Sequence, residues 1–190
     1  MSETKTDKRE AILEASLKVF AANGFHSAPT SQIAKEANVG IGTLYRYFEN
    51  KDALIEALHT DIDQRLKPSV NDGIDESAPI RESLLQILNR VFNFLIENPC
   101  DFRFLEMYYN SPYGLAKQRS EEDGCDKPLY QLFEKGIERQ IIKDVPKEVL
   151  FALCFGPMLM LIRDQSTGYF QLTEEMIEMT LIACWDSIKL

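Results

Sequence analysis

Thr30-Ser31-Gln32-Ile33-Ala34-Lys35-Glu36-Ala37-Asn38-Val39-Gly40-Ile41-Gly42-Thr43-Leu44-Tyr45-Arg46-Tyr47-Phe48-Glu49-Asn50-Lys51 decides how this chain folds at its start. It reads as two short amphipathic helices around an Asn38-Val39-Gly40 turn. Such a pair is the smallest device that presents one helix to the major groove of DNA. Ile33, Ala34 and Ala37 form the inner stripe of the first helix, and the two alanines allow a close helix crossing. The Thr30 hydroxyl is placed to cap that helix. Gly40 is expected to supply the backbone freedom that redirects the chain. In the second helix Leu44 and Phe48 lie four residues apart and face inward. Gly42, Thr43, Tyr45, Arg46 and Tyr47 are left outside, where hydroxyls and a guanidinium suit phosphates and base edges. The plainer use of the tyrosines is helix–helix packing.

Working outward, Lys8 to Asn23 reads as an amphipathic helix with Asp7 as its cap and an apolar face of Ile12, Leu13, Ala15, Leu17, Val19 and Phe20. Gly24 is its terminator. Ile12, Phe20, Ile33, Ala37, Leu44 and Phe48 form the expected core of a three-helix headpiece. Asn50 then caps a fourth helix, Lys51 to about Leu66. Asp52 suits the positive end of the helix dipole and Lys51 opposes it. A phosphate explains that lysine better than the helix does.

These residues resemble the TetR/AcrR-type bacterial transcriptional regulators, from Ile12 to about Leu54. The resemblance runs through Ala11–Ala15, Phe20-Ala21-Ala22-Asn23-Gly24-Phe25, Thr30, Ile33-Ala34, Ala37 and Val39. It continues through Thr43-Leu44-Tyr45-Arg46-Tyr47-Phe48, Lys51 and Leu54. It implies that Thr43, Tyr45, Tyr47 and Lys51 occupy DNA-contact positions and that Thr30 is a phosphate-contacting cap. With the outward residues, the expected DNA-binding set is Thr30, Ile41, Gly42, Thr43, Tyr45, Arg46, Tyr47 and Lys51. Ile41 fills a slot that is often polar in the family, and an apolar side chain there would meet a thymine methyl rather than donate a hydrogen bond.

The chain has 190 residues and a formal charge of −9, which by itself disfavours a DNA partner. The distribution reverses that argument. Residues 1–51 carry seven Lys/Arg against six Asp/Glu, a net of +1, and residues 52–190 carry fourteen against twenty-four, a net of −10. Acid in the body keeps DNA at the headpiece, where non-specific binding should be weak and salt-dependent. Cys100, Cys125, Cys154 and Cys184 form no C-x-x-C pair, and His26 and His59 are distant from them in sequence. Neither a metal site nor a cofactor is expected. Scattered buried thiols are the simplest reading, with redox sensing confined to Cys125. The polar first ten residues carry no secretory signal, so the expected location is cytoplasmic.

The rest of the chain reads as all-α, with about nine helices in total. Residues 1–50 are expected to form the helix-turn-helix domain and 51–190 a larger effector-binding and dimerisation domain. Pro68–Pro79 has linker composition, and a long helix follows to about Asn98. Pro99 opens another, which Ser111-Pro112-Tyr113-Gly114 is expected to stop. Residues 115–128 look loop-like, and Leu129–Ile142 reads as a helix. Val149–Ile162 contains no charge, is too short to cross a bilayer, and should be covered on more than one side. Gly156-Pro157 is expected to kink it or leave carbonyls free. The last helix starts at Thr173. The resemblance assigns these last two helices to a homodimer interface, and the residues proposed for it are Phe151, Leu159, Ile162, Ile177, Leu181 and Trp185. Phe92, Phe102, Tyr108, Tyr109, Phe133, Phe155 and Met158 are the candidate lining for a small lipophilic or aromatic effector. Arg103, Glu106, Asn110 and Arg163 are candidate anchors. No nucleophile–base pair, phosphate loop or metal spacing supports an enzyme. The expected partners are palindromic operator DNA, the effector and a second copy of the chain, with no membrane. A dimeric DNA-binding protein without an effector is the alternative.

Overall fold

A computed structural model describes residues 5–72, 77–117 and 127–190. Its helices are α1 (Lys5–Ser27), α2 (Thr30–Glu36), α3 (Ile41–Tyr47), α4 (Lys51–Asn71), α5 (Ile80–Glu97), α6 (Pro99–Tyr109), α7 (Pro112–Lys117), α8 (Lys127–Glu138), α9 (Lys147–Ser166) and α10 (Glu174–Ile188). Among the described residues there is no strand, only an isolated antiparallel bridge between Ile142 and Lys189. The protein is all-α. The helix beyond the expected nine is α7. The Pro99 helix ends at Tyr109, ahead of Ser111-Pro112-Tyr113-Gly114 as expected, but Pro112 also opens a further helix, because proline in the first turn loses an amide that has no helical partner anyway. Gly114 then lets α7 fold back on α6. A Cβ there would lie 2.6 Å from the Tyr109 Cα and 2.7 Å from the Tyr108 carbonyl oxygen.

Two compact units emerge, one of Met1–Arg65 with Asn98–Glu121 and the other of Leu66–Glu97 with Glu122–Leu190. In the first, Ile12, Phe20, Ile33, Leu44 and Phe48 are buried as the spacing predicts, and Ala37 is half-buried. Gly24 ends the regular part of α1 with φ 76°, a conformation that costs other residues free energy. The same core takes in α6. Phe104 packs 6.4 Å from the Phe20 ring and 5.3 Å from that of Phe25. Asn50 caps α4, accepting from the Ala53 amide at 2.8 Å. The helix continues through Pro68 to Asn71, beyond its expected end near Leu66.

One side of α4 is bonded to α6 and α7. The Tyr113 hydroxyl donates to Asp52 at 2.6 Å and the Tyr108 hydroxyl to Glu56 at 2.8 Å. Buried His59 stacks on the Tyr108 ring with centroids 3.9 Å apart. Below them Arg65 holds buried Asp101 by two charge-assisted bonds of 2.5 and 3.0 Å. A buried carboxylate without that fork would be strongly destabilising.

In the second unit α5 buries Ile80, Leu84, Ile87, Leu88, Val91, Phe92 and Leu95, the helical stripe expected of an amphipathic element. α8 stops at Glu138, short of Ile142, because Gln140 turns the chain with φ 56°. Ile142 then pairs with Lys189, and the Lys143 ammonium donates to the Ser187 carbonyl at 2.7 Å, which pins the end of the chain. Thr173 caps α10, its hydroxyl accepting from the Met176 amide at 3.2 Å. Cys154 and Cys184 are buried, and burial pushes their thiols up to about 12 and about 11. Cys100 is exposed, contrary to the expectation of uniformly buried thiols, and Cys125 lies outside the described residues.

At twenty residues with mean hydropathy 1.3, α9 is long and apolar enough to cross a bilayer, unlike its fourteen-residue charge-free stretch. Its composition has another cause. Leu150, Cys154, Phe155, Met158 and Ile162 enter the core of the unit, and α9 continues through Pro157. Val149, Ala152, Gly156 and Met160 form an exposed stripe at helical spacing. The helix is apolar on two sides.

Candidate nucleic-acid interface

Pro29 leads into α2 in an extended conformation (φ −77°, ψ 137°), and its carbonyl accepts from the Gln32 and Ile33 amides. Thr30 is therefore the first residue of α2 and not its cap. Its hydroxyl instead lies 2.9 Å from the Tyr45 hydroxyl, tying α2 to α3. The turn also differs from expectation. Asn38, at φ 52°, makes the left-handed step, while Gly40 is extended (φ −69°, ψ 146°). Asparagine tolerates this conformation better than most residues, which frees Gly40 to begin α3. The Gly40 carbonyl accepts from the Thr43 and Leu44 amides at 2.8 and 3.2 Å.

Within α3 only Leu44 is buried. Ile41, Gly42, Tyr45 and Arg46 are exposed, and Thr43 and Tyr47 are half-buried. The Arg46 guanidinium lies 5.8 Å from the centre of the Tyr47 ring. Lys51 has a partner that sequence reasoning missed. Its ammonium donates to the Ala28 carbonyl at 2.6 Å and lies 5.9 Å from the Phe20 ring centre. The bond ties the start of α4 to the segment before α2, so the lysine has a structural use. Ala28 precedes Lys51 by twenty-three residues, and no local pattern signals the pairing.

The residues expected to line an effector site divide between the units. Phe102, Tyr108 and Tyr109 belong to the first. There Tyr108 is fully buried against His59 and Phe104, and Tyr109 is exposed. Burial and the Glu56 carboxylate raise the Tyr108 hydroxyl pKa, and the bond to Asp52 pushes that of Tyr113 up to about 12. Phe92, Phe133, Phe155 and Met158 belong to the second unit. Phe92 and Met158 have 0% exposure, so no water-sized space touches them in this conformation. Arg103, Asn110 and Arg163 are exposed and Glu106 is half-buried.

Ile162, Leu181 and Trp185, expected at a dimer interface, are buried in the core of the second unit. Phe151, Leu159 and Ile177 are half-buried. The outer face of α10 is carried by Glu175, Met179, Ile182 and Asp186, beside the exposed stripe of α9. α9 is apolar on two sides and α10 sets Met179 and Ile182 among acids on its outer side, so hydrophobicity alone does not say which side the core takes.

A short helix with its core-facing side chains buried and tyrosine, arginine and isoleucine outside defines a DNA-binding protein of the helix-turn-helix class. Residues 12–58 match the description "Bacterial regulatory proteins, tetR family", and residues 79–189 match "Tetracyclin repressor-like, C-terminal domain". The chain belongs to the TetR family of transcriptional regulators. It is similar to an HTH-type transcriptional regulator of Haemophilus influenzae, 28% identical over 190 residues that cover all of both chains. A TetR family transcription regulator from Marinobacter aquaeolei VT8 superposes with TM-score 0.85 at 28% identity, over 97% of this chain and 96% of that one. A nicotine-responsive transcriptional repressor of Paenarthrobacter nicotinovorans is 23% identical over 137 residues, 72% of this chain and 68% of that protein.

Proposed function

We propose that this regulator is a cytoplasmic homodimeric repressor that holds a near-palindromic operator through two copies of α3 and is released by a small lipophilic or aromatic effector. The observation that carries the dimer is the exposed apolar surface of α9 and α10. Val149, Met160, Met179 and Ile182 lie outside a protomer that already has a complete core. Gly156 supports it, because a Cβ there would meet nothing within 4 Å of its own protomer. Glycine inside a helix weakens it relative to alanine, and close approach of a second helix accounts for it. Two helices from each subunit then form a four-helix interface. One recognition helix per subunit requires two half-sites related by the same two-fold axis. Thr43, Arg46 and Tyr47 supply the polar contacts, Tyr45 presents its ring, and Thr30 and Lys51 reach phosphates at the margin.

The effector part of the reading draws on the aromatic group of α8 and α9, where Tyr130 lies 6.4 Å from Phe151 and Phe151 stacks on Phe155 at 4.4 Å. An apolar or flat ligand is the chemistry such a group favours, and the nicotine-responsive repressor among the relatives is consistent with it. A ligand that prefers the conformation with mis-spaced headpieces needs only about 1–3 kcal/mol of coupling to release DNA. The complete burial of Phe92 and Met158 favours the second reading, an effector-free dimer, since a ligand there must first displace packed side chains. Selection of duplexes from a random library by the full-length protein, followed by titration of the complex with lipophilic and aromatic compounds, tests the whole. Enrichment of an inverted repeat and release by one compound class is the expected result. Enrichment without release by any compound establishes the second reading, and no enrichment removes both.

A further inference from the structure

We infer that Ile41 reads the C5-methyl group of a thymine in each half-site of the operator, an inference that rests on the DNA-binding role of α3. Ile41 is the first residue of α3, 44% exposed, and its neighbours Gly40 and Gly42 carry no side chain that could cover it. Nothing inside the protein explains Gly42. A Cβ there would meet nothing within 4 Å, and its φ lies outside the left-handed range, so neither packing nor backbone geometry requires glycine. Glycine within a helix is less favourable than alanine. What glycine provides is clearance for a foreign surface beside Ile41.

The residue one turn on belongs to the same strip. Tyr45 is 45% exposed one turn beyond Ile41, and helical side chains lean toward the preceding turn. Its hydroxyl is engaged with Thr30 at 2.9 Å, which leaves the strip a mainly apolar surface on a helix otherwise suited to polar contacts. The major groove displays one apolar group, the thymine methyl. Opposite a T·A pair Ile41 removes that methyl and its own side chain from water together. Opposite a G·C pair it would cover the guanine N7 and O6 acceptors or the cytosine amino donor and return no hydrogen bond. Ile41 therefore selects thymine by contact and rejects G·C by desolvation.

Deoxyuridine separates this contact from every other use of the base, because it pairs as thymine does and lacks only the methyl. The full-length protein is first used to select a consensus duplex. Each thymine is then replaced by deoxyuridine and binding is measured by fluorescence anisotropy, for the natural protein and for Ile41→Ala and Ile41→Val. The expected result is one thymine per half-site whose replacement weakens the natural protein about fourfold, the value of roughly one buried methyl. Ile41→Ala should bind the thymine and uracil duplexes equally, and Ile41→Val should keep part of the difference. Equal binding by the natural protein at every position, a consensus without thymine in its half-sites, or an undiminished preference in Ile41→Ala would overturn the inference while the DNA-binding reading stands. Failure to enrich any duplex would instead overturn that reading, and this inference with it.

Discussion

Replacing Ile182 with glutamate probes the proposed subunit interface where the monomer has least reason to respond. Ile182 is 40% exposed on the outer stripe of α10, with Glu178 and Asp186 one turn to either side. Complete burial of an isoleucine is worth about 1.5–3 kcal/mol, so covering its exposed two-fifths contributes about 1 kcal/mol per subunit. The two-fold axis doubles that to about 2 kcal/mol. Glutamate removes this contribution and adds an unpaired carboxylate, whose effective burial costs several kcal/mol per ion. It also adds like-charge repulsion from neighbours at four residues' spacing. A total of at least about 4 kcal/mol corresponds to roughly a thousandfold weaker dimer. Arginine would be a poorer probe, since Glu178 and Asp186 would both pair with it. Sedimentation equilibrium should find Ile182→Glu monomeric at concentrations where the natural protein is dimeric, with helical content retained. Leu181→Ala should behave differently. That side chain is 8% exposed, and its truncation should cost about 2–5 kcal/mol of fold stability. A full-strength dimer in Ile182→Glu would refute the placement of the interface on this face.

Gly42→Ala should stabilise the headpiece by about 0.5–1 kcal/mol in urea unfolding, since the added methyl meets nothing, and should weaken operator binding. Unchanged affinity would show that no surface approaches α3 there. Lys51→Met removes the bond to the Ala28 carbonyl and should cost about 1–2 kcal/mol of stability. If the same ammonium reaches a phosphate, the salt dependence of DNA binding also flattens by about one unit; an unaltered slope would restrict Lys51 to its structural bond. Tyr47→Ala should lower specific binding with the dimer intact, and a competition assay showing unaltered selectivity would remove Tyr47 from the readout. Tyr113 is held neutral chiefly by its bond to Asp52 and then by burial, with its pKa raised from 10.0 to about 12. A raised pKa means that the folded state binds the proton more tightly. Its contribution is therefore complete below about pH 10 and is lost as pH rises through about 12. Stability measured against pH should fall less steeply across that window in Tyr113→Phe, and identical slopes would discount the bond.

Local elements were legible because their causes are local. The inward spacing of Leu44 and Phe48, Gly24 at the end of the regular part of α1, Asn50 ahead of α4 and Thr173 ahead of α10 each act within a turn or two of themselves. The helix-turn-helix unit is also dense in residues whose type and spacing leave few alternatives, so residue type and spacing were enough to name its outward face. Legibility ended where two local solutions were equally good. Asn38 and Gly40 can each make a left-handed step, and in the fold Asn38 makes it while Gly40 stays extended. Ser111-Pro112-Tyr113-Gly114 follows the end of α6 as expected, but that it also opens α7 depends on the close approach of α7 to α6 at Gly114. Lys51 found its carbonyl across twenty-three residues, and α6 joined the core of α1 through Phe104. In α9 and α10, which carry apolar residues on two sides, composition could not say which side was inside. Ile162, Leu181 and Trp185 went to the core and Met160, Met179 and Ile182 to the surface, because α5 and α8 cover one side and leave the other bare. The sequence by itself determined every helix but α7 and the chemistry of the outward face of α3, through hydrogen bonds and periodicities only a few residues long. Which apolar side each helix buries was decided only by tertiary packing, since hydrophobic burial is non-directional and takes its direction from whatever lies opposite.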